Sequence, residues 1–316
     1  NLALEEYCVR NLDMKNDYLL FYINEPSVII GKHQNTIEEI NSGYINDHEV
    51  KVLRRISGGG AVYHDEGNLN FSFMTKHSQK SIHNFKLFTE PVIQTLQAMG
   101  VDAVLNGRND ITVNDTKISG NAQFTDTKSM FSHGTLLFNS DIDNVVKALN
   151  VRLGKIESKG IKSIKSRVGN IVDYLNQKIT ISDFRSQLID SIFINYISPP
   201  VFDLNDEQWE KVYDLAESKY RSWEWNYGRS PEFNVQKVKR FSFGQIDSRI
   251  HVNEGIIREI TFFGDFLGHG ELKDIEDSLK NVKYEKNSIH ESLKNSDLNY
   301  YFGEISIEEF SDFLLT

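Results

Sequence analysis

Apolar positions along the chain recur with two periods, which divide it into short strands and amphipathic helices. Asn68–Met74 sets Leu69, Phe71 and Phe73 against Asn70 and Ser72, the alternation of a strand with one buried face. Tyr18–Ile23 and Ser27–Ile30 read as two strands around an Asn-Glu-Pro turn. Val52–Ile56 and Ala61–His64 read as two more, around Ser57 and three glycines. Asp110–Val113, an Asn114-Asp115 turn, Lys117–Phe124 and Met130–Phe138 predict an antiparallel meander. Helical spacing predicts helices over Asn1–Leu12, Phe85–Met99 (stopped by Gly100), Asp141–Leu149, Ile181–Tyr196 and Asp206–Tyr220. Trp223–Phe233, with Gly228 and Pro231, reads as an irregular connector. Strands at Lys237–Phe243 and Ile256–Phe263 and helices at Glu271–Leu279 and Ile307–Leu315 follow it. A boundary near 230–236 therefore leaves a tail of about 80 residues, enough for a small α+β domain.

Charge and cysteine usage narrow the possibilities further. The net charge is −10, so a general basic surface for nucleic acid is excluded. A single cysteine, Cys8, allows no internal disulfide, and no apolar run approaches the length of a membrane span. A reducing, cytoplasmic setting is the expectation. Against this acidic background Lys155, Lys159, Lys162, Lys165 and Arg167 face one acid, Glu157. The run is either a solvated loop or a contact for an anion or an acidic partner protein.

Three segments carry candidate chemistry. Three consecutive glycines are entropically costly and serve backbone that needs unusual dihedrals or close approach. In Arg54-Arg55-Ile56-Ser57-Gly58-Gly59-Gly60-Ala61-Val62-Tyr63-His64-Asp65 they form either a plain hairpin or a loop whose N–H groups and Arg55 hold an anion. No Gly-Lys-Ser/Thr follows, as a Walker loop needs, and no helix, as a Rossmann fingerprint needs. Asp110 and Lys117 flank a tight turn. Lys117 is either a solvated strand-end charge or an amine aimed into a cleft, and Asp110 either a Mg²⁺ ligand or a neighbour's partner. His133 enters an apolar strand, the setting of structural and functional histidines alike.

Taken in order, these words resemble the lipoate–protein ligase family. They are Asn1-Leu2-Ala3-Leu4-Glu5-Glu6, the arginine–triple-glycine block, Gly67–Phe73, Gly107–Ile111, Lys117–Gln123, His133–Phe138, Lys159-Gly160 with Ser166-Arg167-Val168, and Trp223-Glu224-Trp225 with Tyr227–Pro231. The resemblance covers about residues 1–235 and extends to the remainder by position and size. It implies an α+β fold: a catalytic domain over 1–230 like that of biotin and lipoate ligases, with mixed, mainly antiparallel sheet and flanking helices. A small α+β accessory domain over 236–316 would follow. It further implies activation of lipoate by ATP and Mg²⁺ to lipoyl-AMP, then transfer to a lysine of a carrier, an E2 lipoyl domain or the glycine-cleavage H protein.

By the same resemblance, Arg55 and the backbone of Gly60, Ala61, Val62 and Tyr63 hold the nucleotide, and Asn68 faces the adenylate. Asp110 is the candidate metal ligand. Gly58 and Gly59 leave room for the acyl tail, which His64 and His133 line, and Lys117 bridges the lipoyl carbonyl and the α-phosphate. Rival readings are a lipoyl or octanoyl amidotransferase of the same fold, a biotin ligase, and a catalytically silent carrier-binding regulator. The amidotransferase needs a cysteine thioester, and Cys8 lies outside every matching word. The glycine block is of the lipoate rather than the biotin type, and intact Arg55 and Lys117 speak against the silent protein.

Overall fold

A computed structural model describes residues 1–149, 167–228, 234–253 and 255–315. Its helices and mainly antiparallel sheets form the expected α+β architecture. The backbone divides into two compact units: one of residues 1–29, 39–53 and 62–222, the other of 30–38, 54–61 and 223–316. The glycine block thus packs with the C-terminal part of the chain, which its position in the sequence does not reveal.

The first unit is built on a six-stranded antiparallel sheet. Its strands are β1 (Tyr18–Tyr22), β5 (Asn68–Lys76), β6 (Val104–Asn106), β7 (Asp110–Val113), β8 (Thr116–Thr125) and β9 (Ser129–Leu137), in the order β1-β5-β9-β8-β7-β6. A smaller sheet, of order β3-β2-β4, joins β2 (Ser27–Ile30), β3 (Lys51–Arg54) and β4 (Val62–His64). One face of the large sheet is apolar. Leu69, Phe71, Ile111, Val113 and Leu136 pack there on Val92, Ile93 and Leu96 of helix Phe85–Ala98 and on Phe184 and Leu188 of helix Ile181–Ile192. Because β5 alternates, its other face carries Asn68, Asn70 and Ser72, all buried. Helix α1 (Leu2–Asn11) covers this polar face and brings two acids with it, Glu5 and Glu6.

Glu6 fastens α1 in place. It accepts hydrogen bonds from Arg10 at 2.9 Å, Lys219 at 2.8 Å and Tyr220 at 2.7 Å. Burial acts to raise its pKa, but bonds from Lys219, then Tyr220 and Arg10, outweigh that and hold the carboxyl below its ordinary value. The tie is complete at neutral pH and is lost as pH falls through that lowered pKa. Two of its donors, Lys219 and Tyr220, end a π-helical turn, Ala216–Tyr220, that widens the predicted 206–220 helix after Leu215.

The C-terminal sheet has three strands where two are predicted: β10 (Val235–Phe241), β11 (Gly244–Asn253) and β12 (Ile256–Gly264), all antiparallel. In β11 the charged Asp247 and Arg249 interrupt an apolar run that alternation through Ile246, Ile250 and Val252 nonetheless marks. Ile246, Ile250, Phe262 and Phe266 meet Ile275, Ile289, Phe302 and Phe310 in a core drawn only from residues beyond 234. Short elements also escape the pattern reading, among them helices Thr36–Glu39 and Ser42–Asp47, strand β6 and helices Lys286–Leu293 and Leu298–Tyr301. Trp223–Asn226, read as irregular, forms one helical turn.

Candidate functional site

Register builds the site in the first unit. Residues paired across antiparallel strands share a face, so Tyr22, Asn70 and Thr135 form one row of the polar face, and Leu20, Ser72, His133 and Ala122 the next. Gly120 extends the first row: its N–H donates to Thr135 Oγ1 at 3.1 Å, and it pairs with Asp110 of β7. Lys117 and Gly120 are an odd number of residues apart and in a regular strand would point to opposite faces. A bulge between β7 and β8, where the register shifts between Ile111 and Thr112, turns Lys117 onto the polar face. Its ammonium meets Asp110 Oδ1 at 2.8 Å. It also lies 3.0 Å from where a β-carbon on Gly120 would stand, so glycine at 120 makes room for it. Lys117 and Asp110 are each only about one-third exposed, 37% and 36%.

On the next row His133 is buried and held from above. Its Nδ1 lies 2.9 and 3.1 Å from the two carboxylate oxygens of Glu5, within hydrogen-bond reach of both. Its ring leans on Phe131, centroids 4.7 Å apart. Asn68 donates to Asn70 Oδ1 at 3.0 Å, and Asn70 donates to the Tyr22 carbonyl at 3.2 Å. The buried Asn68 Oδ1 and Ser72 Oγ have no hydrogen-bond partner among the described residues. In β4, His64 sits against Asn24, Nδ1 to Nδ2 2.9 Å, and Tyr63 is buried beside it; burial, then Asp65, pushes the Tyr63 phenol up to about 12.

In the second unit the glycine block is a closed loop. Lys32 N–H donates to the Ser57 carbonyl and Arg55 N–H to that of Ile30. The Gly59 carbonyl fits only because position 31 is glycine: a β-carbon there would come within 1.9 Å of it. Gly59 itself takes φ +91°, a conformation that favours glycine. Arg55 is buried and turned on its own loop, donating to Ser57 Oγ at 2.9 Å and to the carbonyls of Gly58 at 2.6 Å and Gly60 at 2.9 Å. The space beside Gly58 and Gly59 is filled: their β-carbons would stand 2.5 Å from the Phe266 carbonyl oxygen and 3.2 Å from Leu267 Cδ2. Gly60 has open space, and Ala61 after it is half-buried.

The sequence-predicted residues therefore fall into two groups. Lys117, Asp110, Asn68, His133, Val62, Tyr63 and His64 lie in the first unit; Arg55, Gly58, Gly59, Gly60 and Ala61 lie in the second. Lys155, Lys159, Lys162 and Lys165, and the matching words at 159–160, 166 and 229–231, fall outside the described residues. Glu5, Asn70, Ser72 and Thr135 of this face were not singled out by the sequence reading. Of these, Glu5 had a signal, since it lies on the buried stripe of an amphipathic helix. Among the described residues no three His, Cys, Asp or Glu side chains group as metal ligands, and no helix is long and apolar enough to cross a membrane. Cys8 is buried in α1, and burial, then the Glu5 charge, pushes its thiol up to about 11.

The chain is similar to known proteins along most of its length. Residues 1–193 match the model of the lipoyl protein ligase A/B catalytic domain, and 230–314 that of the bacterial lipoate protein ligase C-terminus. The lipoate-protein ligase LplJ of Bacillus subtilis is 53% identical over 316 residues, covering 99% of this chain and 96% of that protein. LipL1 of P. falciparum, solved in complex with lipoate, superposes with a TM-score of 0.78 at 29% identity, covering 100% of this chain and 95% of that one. A lipoate-protein ligase A bound with ATP gives 0.62 at 29% identity over 72% of this chain and 92% of that one.

Proposed function

The chain belongs to the lipoate–protein ligase family, and from that premise we propose that it couples cleavage of ATP to AMP and pyrophosphate with lipoylation of a carrier lysine. In the first half-reaction the lipoate carboxylate attacks the α-phosphorus of ATP, forming lipoyl-AMP and expelling pyrophosphate. In the second, a carrier lysine amine attacks the lipoyl carbonyl; an amide forms, AMP departs and a proton is released. The carriers are E2 lipoyl domains and the glycine-cleavage H protein, and the reaction runs in the cytoplasm.

The observation that carries this reading is the bulge that aims Lys117 onto a polar sheet face, beside a glycine and an acid. Two anions meet in the first step, so fixed cations must offset both. Lys117 takes that role at the carboxylate and α-phosphate. Arg55 and the backbone of Gly60, Ala61, Val62 and Tyr63 hold the nucleotide, with Asn68 on its adenylate side. Arg55 exchanges the Gly58 and Gly60 carbonyls for phosphate oxygens when it does so. Mg²⁺ bound with the triphosphate would offset its charge, and Asp110 would be the carboxylate to hold it. His64 and His133 line the acyl chain, and Gly58 and Gly59 do so with their backbone alone, since the space a side chain would take there is filled by Phe266 and Leu267. Residues 236–316 act as an accessory domain, a role their self-contained core supports; a fragment of these residues is expected to fold alone by circular dichroism, and a random-coil spectrum would refute this. Incubating the protein with ATP, Mg²⁺, lipoate and a carrier domain tests the whole reading. The carrier gains the mass of one lipoyl group, and no gain on any carrier counts against it.

The amidotransferase alternative passes the acyl group through a thiolate. Cys8, with its pKa raised to about 11, is almost wholly thiol at pH 7 and poorly nucleophilic. Cys8→Ser should keep at least half of the lipoylation rate. An acyl thioester trapped on Cys8 would move the protein to the amidotransferases.

A further inference from the structure

Lys32 is a buried lysine beside the glycine block, 8% exposed, in a segment that hydrogen-bonds directly to Ser57. Its ammonium meets Glu271 Oε1 at 2.9 Å and the Gly270 carbonyl at 3.4 Å. Both oxygens belong to the turn that begins at Phe266, whose own carbonyl accepts the Gly59 N–H at 3.1 Å. One turn of chain thus sets an oxygen on two electropositive groups at once: a backbone donor of the glycine block and the lysine next to it. His33 stacks on Phe266, centroids 4.9 Å apart and planes within 13°, and accepts the Gly264 N–H at 2.8 Å through its carbonyl, which fixes the turn. Lys32 and Glu271 also line a cavity of about 480 Å³, together with Lys273 and Lys280 and three further acids, Glu259, Glu276 and Asp277.

A buried ammonium is costly to keep unless an anion meets it. Glu271 is a poor permanent partner, because its side chain is 74% exposed and reaches in from the surface. We propose that Lys32 is a phosphate-binding residue of the adenylation step, and that the Glu271 carboxylate stands in for a nucleotide phosphate until ATP displaces it. The proposal rests on the reading of the glycine block as the phosphate-holding loop. A lysine suits the task, being a compact charge that accepts a carboxylate or a phosphate oxygen in the same place. Phosphate brings more charge than the carboxylate, so exchange favours the nucleotide.

Two variants of one ion pair separate this from a structural role, because they must move ATP affinity in opposite directions. Glu271→Gln removes the competitor, and ATP should bind the full-length protein about two- to fivefold more tightly by calorimetry. Lys32→Gln removes the receptor, and ATP should bind about ten- to a hundredfold more weakly while lipoate affinity holds. If Lys32→Gln does not fold, Lys32→Arg replaces it; retained ATP binding is then expected, and a loss as large as that expected for glutamine would overturn the proposal. Shifts of the same sign in both variants, or no shift in either, would reduce the pair to structural support and overturn it. Arg55→Ala reads the underlying assignment separately. Unchanged ATP affinity there removes the glycine block from phosphate binding, whereas weakened affinity with same-sign shifts at 32 and 271 sinks only the inference.

Discussion

Replacing Lys117 by alanine is expected to slow lipoyl-AMP formation and lipoyl transfer alike, each by about 10²–10³-fold, the usual loss on removing one preorganised donor from a reaction centre. The first step needs a cation between an attacking carboxylate and the α-phosphate. The second needs a donor on the carbonyl oxygen and on departing AMP, and the same ammonium serves both. Its placement is rigid for a lysine. The strand bulge sets its direction, Asp110 holds the charge at 2.8 Å, and the bare Gly120 backbone lies beneath it. Arginine should not restore either step. A planar fork in place of a point charge would collide with Gly120 and change the geometry at Asp110. Supplying preformed lipoyl-AMP isolates the second step, and quenched-flow measurement of adenylate isolates the first. Normal rates for Lys117→Ala in either would remove the residue from that step.

Much of this was legible in the amino-acid sequence, for reasons that differ between elements. The meander was legible because Asn114-Asp115 marks a tight turn, and both residues do take positive φ there, 48° and 64°. The polar face was legible as alternation in Asn68–Ser72, but its partners were not: pairing with Thr135 and His133 depends on a register set by distant strands. The bulge under Lys117 left no local trace, since Ile118-Ser119-Gly120 reads as ordinary strand. Glu5 could be placed on a buried helical stripe, yet nothing nearby says that it reaches a histidine 128 residues away. The docking of Phe266–Glu271 on the glycine block joins segments some 200 residues apart, and single-chain periodicity carries no information at that range.

Arg54 illustrates the same limit, and the largest loss of stability is expected from its replacement. Sequence reading gives two adjacent arginines before the glycines and no reason to separate them. The structure turns them to different tasks. Arg55 faces its own loop, whereas Arg54, 2% exposed, spends its guanidinium on two remote segments of the second unit. Its Nη1 donates to the carbonyls of Gly31, Lys32 and Gln34 at 2.9, 3.1 and 2.7 Å. Its Nη2 donates to Thr36 Oγ1 at 2.7 Å and to the Asn226 carbonyl, and its Nε to the Trp225 carbonyl at 2.9 Å. The backbone of the same residue is held from the other side, its N–H by Asn226 Oδ1 at 2.7 Å and its carbonyl by Trp225 Nε1 at 2.8 Å. Arg54→Ala takes a donor from each of five carbonyls, of which Gly31 keeps the Gln34 N–H and Asn226 the Thr36 hydroxyl, and opens a cavity. Removing a buried, fully engaged charge in this way costs about 3–5 kcal/mol, a large share of what holds a domain folded. Lysine cannot repair it, because three donors on one atom cannot reach acceptors spread around a planar fork. In urea titration followed by tryptophan fluorescence, the transition reported by Trp223 and Trp225 should move to much lower denaturant in both variants. A shift worth less than about 1 kcal/mol for Arg54→Ala would mean that the segments 31–36 and 225–226 hold together without it, and that the glycine block does not owe its place to this side chain.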